Sequence, residues 1–170
     1  MFNIFVQIIG FIAFGIITVS YWAKKKILFV ILQLIALSLY ATHFLLLGGL
    51  SGTWCNIVGF ITTLILFFRE KNKSESKAFV PIILLLFICG SIYFYDGILS
   101  IIPVFATLIP MVLNYNKKMF VVKIGGIAGA LFWLVYGIYV LSYSTMLTEG
   151  IFVMATIGSM IFRKDDKNEV

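Results

Sequence analysis

The sequence predicts an all-α polytopic membrane protein with seven transmembrane helices. Three observations lead there. The first is apolar excess: 62% of the 170 residues are hydrophobic, 12% are charged, and mean hydropathy is +1.10. A soluble domain carries about a quarter charged residues, and a chain this short cannot hide so much apolar surface in its own core. Lipid is the solvent that accommodates it. The second is the length of the apolar runs. They stay apolar on every side for about 20 residues, the span of a bilayer, whereas barrel strands alternate apolar and polar residues over about ten. Backbone hydrogen bonds must then close within each run, as they do in a helix. The third is the position of the cations, which fall in alternate gaps between the runs.

The runs follow in order. The first is Phe2 to Trp22, then the basic stretch Ala23-Lys24-Lys25-Lys26. Lacking a basic start and a small-x-small cleavage site, it reads as a retained helix and not a signal peptide. The second is Ile27 to Leu47, closed by a Gly-rich elbow, Gly48-Gly49-Leu50-Ser51-Gly52. The third is Thr53 to Phe68, short enough to borrow from the elbow, followed by the polar stretch REKNKSESK from Arg69 to Lys77. The fourth is Ala78 to Tyr95, the fifth Ile98 to Tyr115 and the sixth Met119 to Leu141. A polar link, Ser142 to Thr145, leads to the seventh, Met146 to Phe162, and to a charged tail, RKDDKNEV.

All thirteen Lys and Arg lie after helices one, three, five and seven, and the gaps after helices two, four and six hold none. With five acidic residues the basic side carries +8, and Asp96 and Glu149 give the other side −2, which restores the net +6. Cations mark the cytoplasmic face, so the N-terminus is expected outside and the C-terminus in the cytoplasm. This placement also speaks against nucleic acid as the partner of a basic chain. The basic loops sit against anionic lipid.

A displacement of 93 positions lays the first third of the chain over the last: Lys24-Lys25 on Lys117-Lys118, Gly10 on Pro103, Ala13 on Ala106, His43 on Tyr136, Ser51 on Ser144 and Asn56 on Glu149. Two units of three helices in tandem would point opposite ways. Helix four supplies the extra crossing, giving a 3+1+3 parallel repeat about an axis along the membrane normal. The units are residues 2–69 and 98–163, with a linker helix over 78–95 and a cytoplasmic tail over 164–170.

The block Tyr40-Ala41-Thr42-His43-Phe44-Leu45-Leu46-Leu47-Gly48, with Asn56 early in the next helix and Arg69 at its end, resembles the YgjV family of bacterial inner-membrane proteins. The resemblance implies a multi-pass protein of the bacterial plasma membrane. More distantly the chain is similar to the SWEET and PQ-loop transporters. They share the 3+1+3 plan and carry small solutes between two bundles, with paired polar residues on helices three and seven. Asn56 and Glu149 stand at those places. The PQ dipeptide is absent, and helix one has Gly10 and Gly15 where those transporters have a hinge proline.

Candidate functional residues follow from cost. An acid in a membrane helix is expensive unless it meets a polar cavity or partner, which singles out Glu149. At a first turn a helix dipole also favours it. Asn56 can serve a substrate or act as interhelical glue. His43 is the lone histidine, able to relay protons or to satisfy one structural bond. Trp133 and Tyr136 are deep enough to line a cavity, with Tyr40 and Tyr139 as further stacking candidates, while Trp54 reads as an interface belt residue. Pro103 and Pro110 interrupt backbone bonds in helix five and are candidate hinges. Gly125-x-x-x-Gly129 is the small-residue packing motif. Cys55 and Cys89 give neither metal spacing nor a disulfide framework, and no metal or cofactor is expected.

Enzyme motifs are absent: one histidine makes no nucleophile–base–acid set, and no phosphate loop, dinucleotide or zinc signature occurs. The expected function is small-solute transport by alternating access, with Asn56, Glu149, His43, Tyr136 and Trp133 at the path. The alternative is a non-transporting scaffold or receptor-like component of the same fold. A cavity lined by Asn56 and Glu149 would favour the first, a dry packed interior the second. The lipid bilayer is the expected surrounding, a small solute the expected ligand, and a homo-oligomer is compatible with the sequence.

Overall fold

The computed structural model describes residues 2–20, 23, 25–71, 79–95, 97–113 and 119–162. Much of the basic pattern (Lys24, Lys73, Lys77, Lys117, Lys118 and the tail from Arg163) lies outside them, as does Asp96. Among the described residues there are seven α-helices and no strand: α1 Phe2–Ser20, α2 Lys26–Leu46, α3 Leu50–Lys71, α4 Phe79–Tyr93, α5 Ile102–Leu113, α6 Met119–Tyr139 and α7 Tyr143–Phe162. A 3-10 turn, Ile98–Ile101, leads into α5.

Three segments, Ile27–Leu46, Phe120–Tyr139 and Tyr143–Ile161, are long and apolar enough to cross a membrane by length and composition. The other four are apolar but shorter: Ile4–Ser20, Leu50–Ile65, Pro81–Tyr93 and Ile98–Leu113. Large side chains such as Ile4, Ile82, Leu85, Ile92 and Met154 are exposed, while small ones such as Ala13, Ala36, Ala106 and Ala130 are buried. That distribution suits lipid outside and close helix contact inside, where small residues let backbones approach.

α2 packs on both α1 and α3, and α6 packs on both α5 and α7. The two sets meet where α1 touches α7 and α3 touches α5, and α4 packs on α3. The α5–α6 contact uses the predicted motif. A Cβ at Gly129 would lie 2.7 Å from the Ala106 carbonyl oxygen and one at Gly125 would lie 2.7 Å from Leu113 Cβ, so larger residues would push α6 away.

Both inter-helix elbows close in the same way. At the end of α2, the Gly49 N–H donates to Phe44 O (2.8 Å) and the Gly48 N–H to Leu45 O (3.1 Å), with Gly48 at φ +80°. At the end of α6, the Ser142 N–H donates to Gly137 O (2.8 Å) and the Leu141 N–H to Ile138 O (3.3 Å), with Leu141 at φ +57°. Each is the paired 6→1 and 5→2 bonding of a Schellman close, which requires a left-handed residue after the helix. Glycine meets that need without strain at the first elbow. Leucine at the second is costly by roughly 1–2 kcal/mol.

These closes shift two boundaries from their sequence expectation. α3 starts at Leu50 inside the elbow, not at Thr53. The expected link from Ser142 to Thr145 is mostly the first turn of α7, which starts at Tyr143. Ser142 caps it, its Oγ taking the Thr145 N–H at 3.3 Å, as N-cap serines do.

Candidate functional site

A cavity of about 560 Å³ lies among the helices, lined by residues of α1 through α7. Its walls are mostly apolar and aromatic, including Tyr40, Phe44, Phe87, Met111 and Trp133. Asn56, Glu149 and the hydroxyls of Thr62, Thr107 and Thr148 interrupt them. Small-molecule sites have this size and this mix of apolar wall and few polar groups.

Three of the five sequence candidates therefore share one cavity: Asn56, Glu149 and Trp133. Asn56 comes six residues after the start of α3 and Glu149 six after the start of α7. At a rise of 1.5 Å per residue that is about 9 Å into each helix. This is deeper than a helix start at Thr53 implied. The extra turn comes from Leu50, Ser51 and Gly52 of the elbow entering α3. Asn56 Nδ2 donates to Gly52 O of its own helix at 2.8 Å. The Glu149 carboxylate and the Trp133 indole N–H have no hydrogen-bond partner among the described residues. No buried side-chain nitrogen or oxygen of those residues lacks a partner, so both groups reach open space.

His43 and Tyr136 are not on the cavity wall. Both are fully enclosed at the elbow end, His43 at 0% and Tyr136 at 1% exposure. His43 Nδ1 is 2.8 Å from the Val6 carbonyl of α1 and Nε2 is 2.7 Å from Ser142 Oγ. A carbonyl only accepts, so Nδ1 carries a proton and donates it to Val6 O, while Ser142 Oγ, beside Nε2, donates its own proton to Thr145 Oγ1 at 2.7 Å. Gly10 makes room for the ring: a Cβ there would lie 2.8 Å from His43 Cε1 and would strike Ser144 Oγ. Gln7 completes this knot. Its Nε2 donates to Leu141 O at 2.6 Å and its Oε1 accepts from the Tyr143 N–H at 3.1 Å. α1 thus holds both sides of Ser142, the residue after the left-handed Leu141.

Tyr136 does the converse job. Its hydroxyl accepts from Ser51 Oγ at 3.2 Å and from the Gly52 N–H at 3.1 Å. A Cβ at Gly52 would come 2.5 Å from Tyr136 Cε1, and one at Gly49 would come 2.7 Å from its hydroxyl. So α2 reaches the α6–α7 elbow through His43, and α6 reaches the α2–α3 elbow through Tyr136. The cavity starts beneath these two knots and runs toward Ile17, Thr63 and Met111, near the other ends of α1, α3 and α5.

The remaining candidates separate by position. Tyr40 lines the cavity, and Thr148 Oγ1 lies 3.0 Å from its hydroxyl. Thr148 gives its only proton to Ser144 O at 2.8 Å, so Tyr40 is the donor. Tyr139 is 55% exposed and lies outside the wall. Trp54 is pinned to α4, donating to Phe87 O at 3.3 Å. Outside that set, the Gln33 amide ties α2 to α1 through Ser20 Oγ at 2.8 Å. Pro103 sits in the first turn of α5, where a missing N–H costs least, and Pro110 lies inside the helix and on the wall.

Sequence reasoning missed Phe44, which stacks on Trp133 at 5.6 Å. It also missed the wall threonines. Their signal was present: each hydroxyl bonds the carbonyl four residues earlier, Thr62 to Val58 and Thr107 to Pro103 among them. That habit makes threonine cheap in an apolar helix. No group of residues suited to hold a metal ion occurs among the described residues.

No curated protein and no solved structure matches the chain significantly. A family model described as bacterial inner membrane protein matches residues 4–167. The helices are apolar enough for that setting, and the chain belongs to the Imp-YgjV family of multi-pass bacterial inner membrane proteins.

Proposed function

We propose that the protein is a small-solute transporter working by alternating access between two three-helix units, α1–α3 and α5–α7, with α4 as the linker. The observation that carries this reading is the cavity of about 560 Å³ bordered by Asn56 and Glu149. A scaffold has no use for such a space, since voids forfeit packing contacts. The two-unit reading draws support from the helix contacts and from the displacement of 93 positions. That displacement pairs not only Asn56 with Glu149 but also Tyr40 with Trp133 and Cys55 with Thr148, all on the cavity wall. It also pairs His43 with Tyr136 and Gly48 with Leu141. Exchange of like contacts between paired positions is what a pseudo-twofold repeat implies.

In this reading the elbow end is the outer end, with the N-terminus outside and the C-terminus cytoplasmic, as the cation pattern requires. His43 and Tyr136 act as latches that hold the outer end shut, and Asn56, Glu149 and Trp133 border the solute. Pro110 gives α5 a hinge at the wall, with Pro103 easing its start. The test is uptake into cells or proteoliposomes carrying Asn56→Ala together with Glu149→Ala. Uptake lost while the purified variant keeps its thermal stability supports transport. Stability lost with no flux in either protein favours the scaffold.

A further inference from the structure

The polar groups of the cavity are unevenly sorted. Their protons are already committed. Thr62, Thr63, Thr107 and Thr148 donate to carbonyls of their own helices at 2.7–2.8 Å. Tyr40 spends its proton on Thr148, and one amide proton of Asn56 goes to Gly52 O. What faces the space is oxygen lone pairs. The Trp133 indole N–H, the Thr145 hydroxyl, which accepts from Ser142 Oγ, and the second amide proton of Asn56 are the exceptions. Such a site satisfies a ligand that donates hydrogen bonds and leaves one that only accepts poorly solvated.

Charge points the same way. Glu149 is the one charged residue among those on the wall, and no cation pairs with it among the described residues. A carboxylate at this depth calls for a counter-charge. The same wall carries Tyr40 and Trp133, the latter backed by Phe44, and such ring faces attract cations. At the paired wall positions a neutral amide, Asn56, answers the acid Glu149, so the charge lies on one side of the site. It suits a ligand with one charged end.

We propose that the cavity takes a small protonated amine on an aromatic or hydrocarbon body, with Glu149 as counter-ion and the Tyr40 and Trp133 rings as the wall for the body. This rests on the transport reading only for what happens after binding.

The test uses the purified full chain in lipid nanodiscs and three probes of one shape: 2-phenylethylammonium, 2-phenylethanol and phenylacetate. Calorimetry should give the ammonium about tenfold tighter binding than the alcohol, and no saturable binding of phenylacetate. Glu149→Gln should erase the preference for the ammonium over the alcohol. Asn56→Asp, which adds a second carboxylate at the paired position, should tighten the ammonium severalfold, and it decides the matter should Glu149→Gln not fold. Phenylacetate binding as well as the ammonium would overturn the proposal. So would an ammonium affinity unmoved by either substitution. Flux separates the two readings. An ammonium that binds through Glu149 but is not carried into proteoliposomes upholds the amine site and overturns transport. Saturable flux of a neutral solute that Glu149→Gln leaves intact overturns the amine site and upholds transport.

Discussion

The two elbows perform one task with different chemistry. Both end a helix with the same pair of backbone bonds and both receive a side chain from the other set of helices. The α2–α3 elbow meets its geometric need locally: Gly48 takes the left-handed conformation, and Gly49 and Gly52 leave space for the Tyr136 phenol. The α6–α7 elbow has Leu141 in the left-handed position, and Ser142 and Thr145 in place of Gly49 and Gly52. Its geometry is imposed from outside, by Gln7 on the Leu141 carbonyl and the Tyr143 N–H that flank Ser142, and by His43 on Ser142 itself. An elbow can be shaped by its own backbone freedom or by partners that over-determine it. The second way ties the turn to α1 and α2.

That contrast is open to measurement by unfolding the purified protein in mild detergent. The largest effect is expected for His43→Ala, which empties a fully buried ring site and removes its contacts with Val6 O and Ser142 Oγ. Core truncation together with a lost interhelical bond should cost about 2–4 kcal/mol. Gly52→Ala should follow, at about 1–3 kcal/mol, because a methyl there overlaps the Tyr136 ring. Substitutions at the left-handed positions should have opposite signs. Gly48→Ala should destabilise by about 1 kcal/mol, and Leu141→Gly should be neutral or stabilise by up to about 1 kcal/mol as strain is released. Should Leu141→Gly instead destabilise strongly, the leucine side chain matters more than the turn. The smallest effect is expected for Tyr136→Phe, about 0.6–1 kcal/mol, the scale of one interhelical bond in a membrane protein.

Much of this was legible in the sequence, because membrane helices announce themselves through length and apolarity. The seven runs, the glycine elbow and the α5–α6 glycine motif needed only composition and spacing, while the family resemblance rested on the block Tyr40 to Gly48 with Asn56 and Arg69. The second elbow was read three residues late because leucine gives no turn signal, and its left-handed state exists only through Gln7 and His43. His43 and Tyr136 were grouped with the cavity on grounds of polarity and depth. Which side of a helix a polar residue faces is decided by partners 37 to 134 residues away in sequence, and no local pattern encodes that. Trp133, Asn56 and Glu149 were found because polar and large aromatic groups in apolar helices are few. Phe44 was hidden among seventeen phenylalanines.

The central claim is that the space around Glu149 opens in turn to each side of the membrane. Cysteine accessibility tests it most directly. In a background where Cys55 and Cys89 are replaced by Ala, Thr107→Cys on the same cavity wall is exposed to a membrane-impermeant thiol reagent added to one face at a time. Alternating access predicts labelling from both faces, with protection by a bound solute. Labelling from one face only, or from neither, would contradict it.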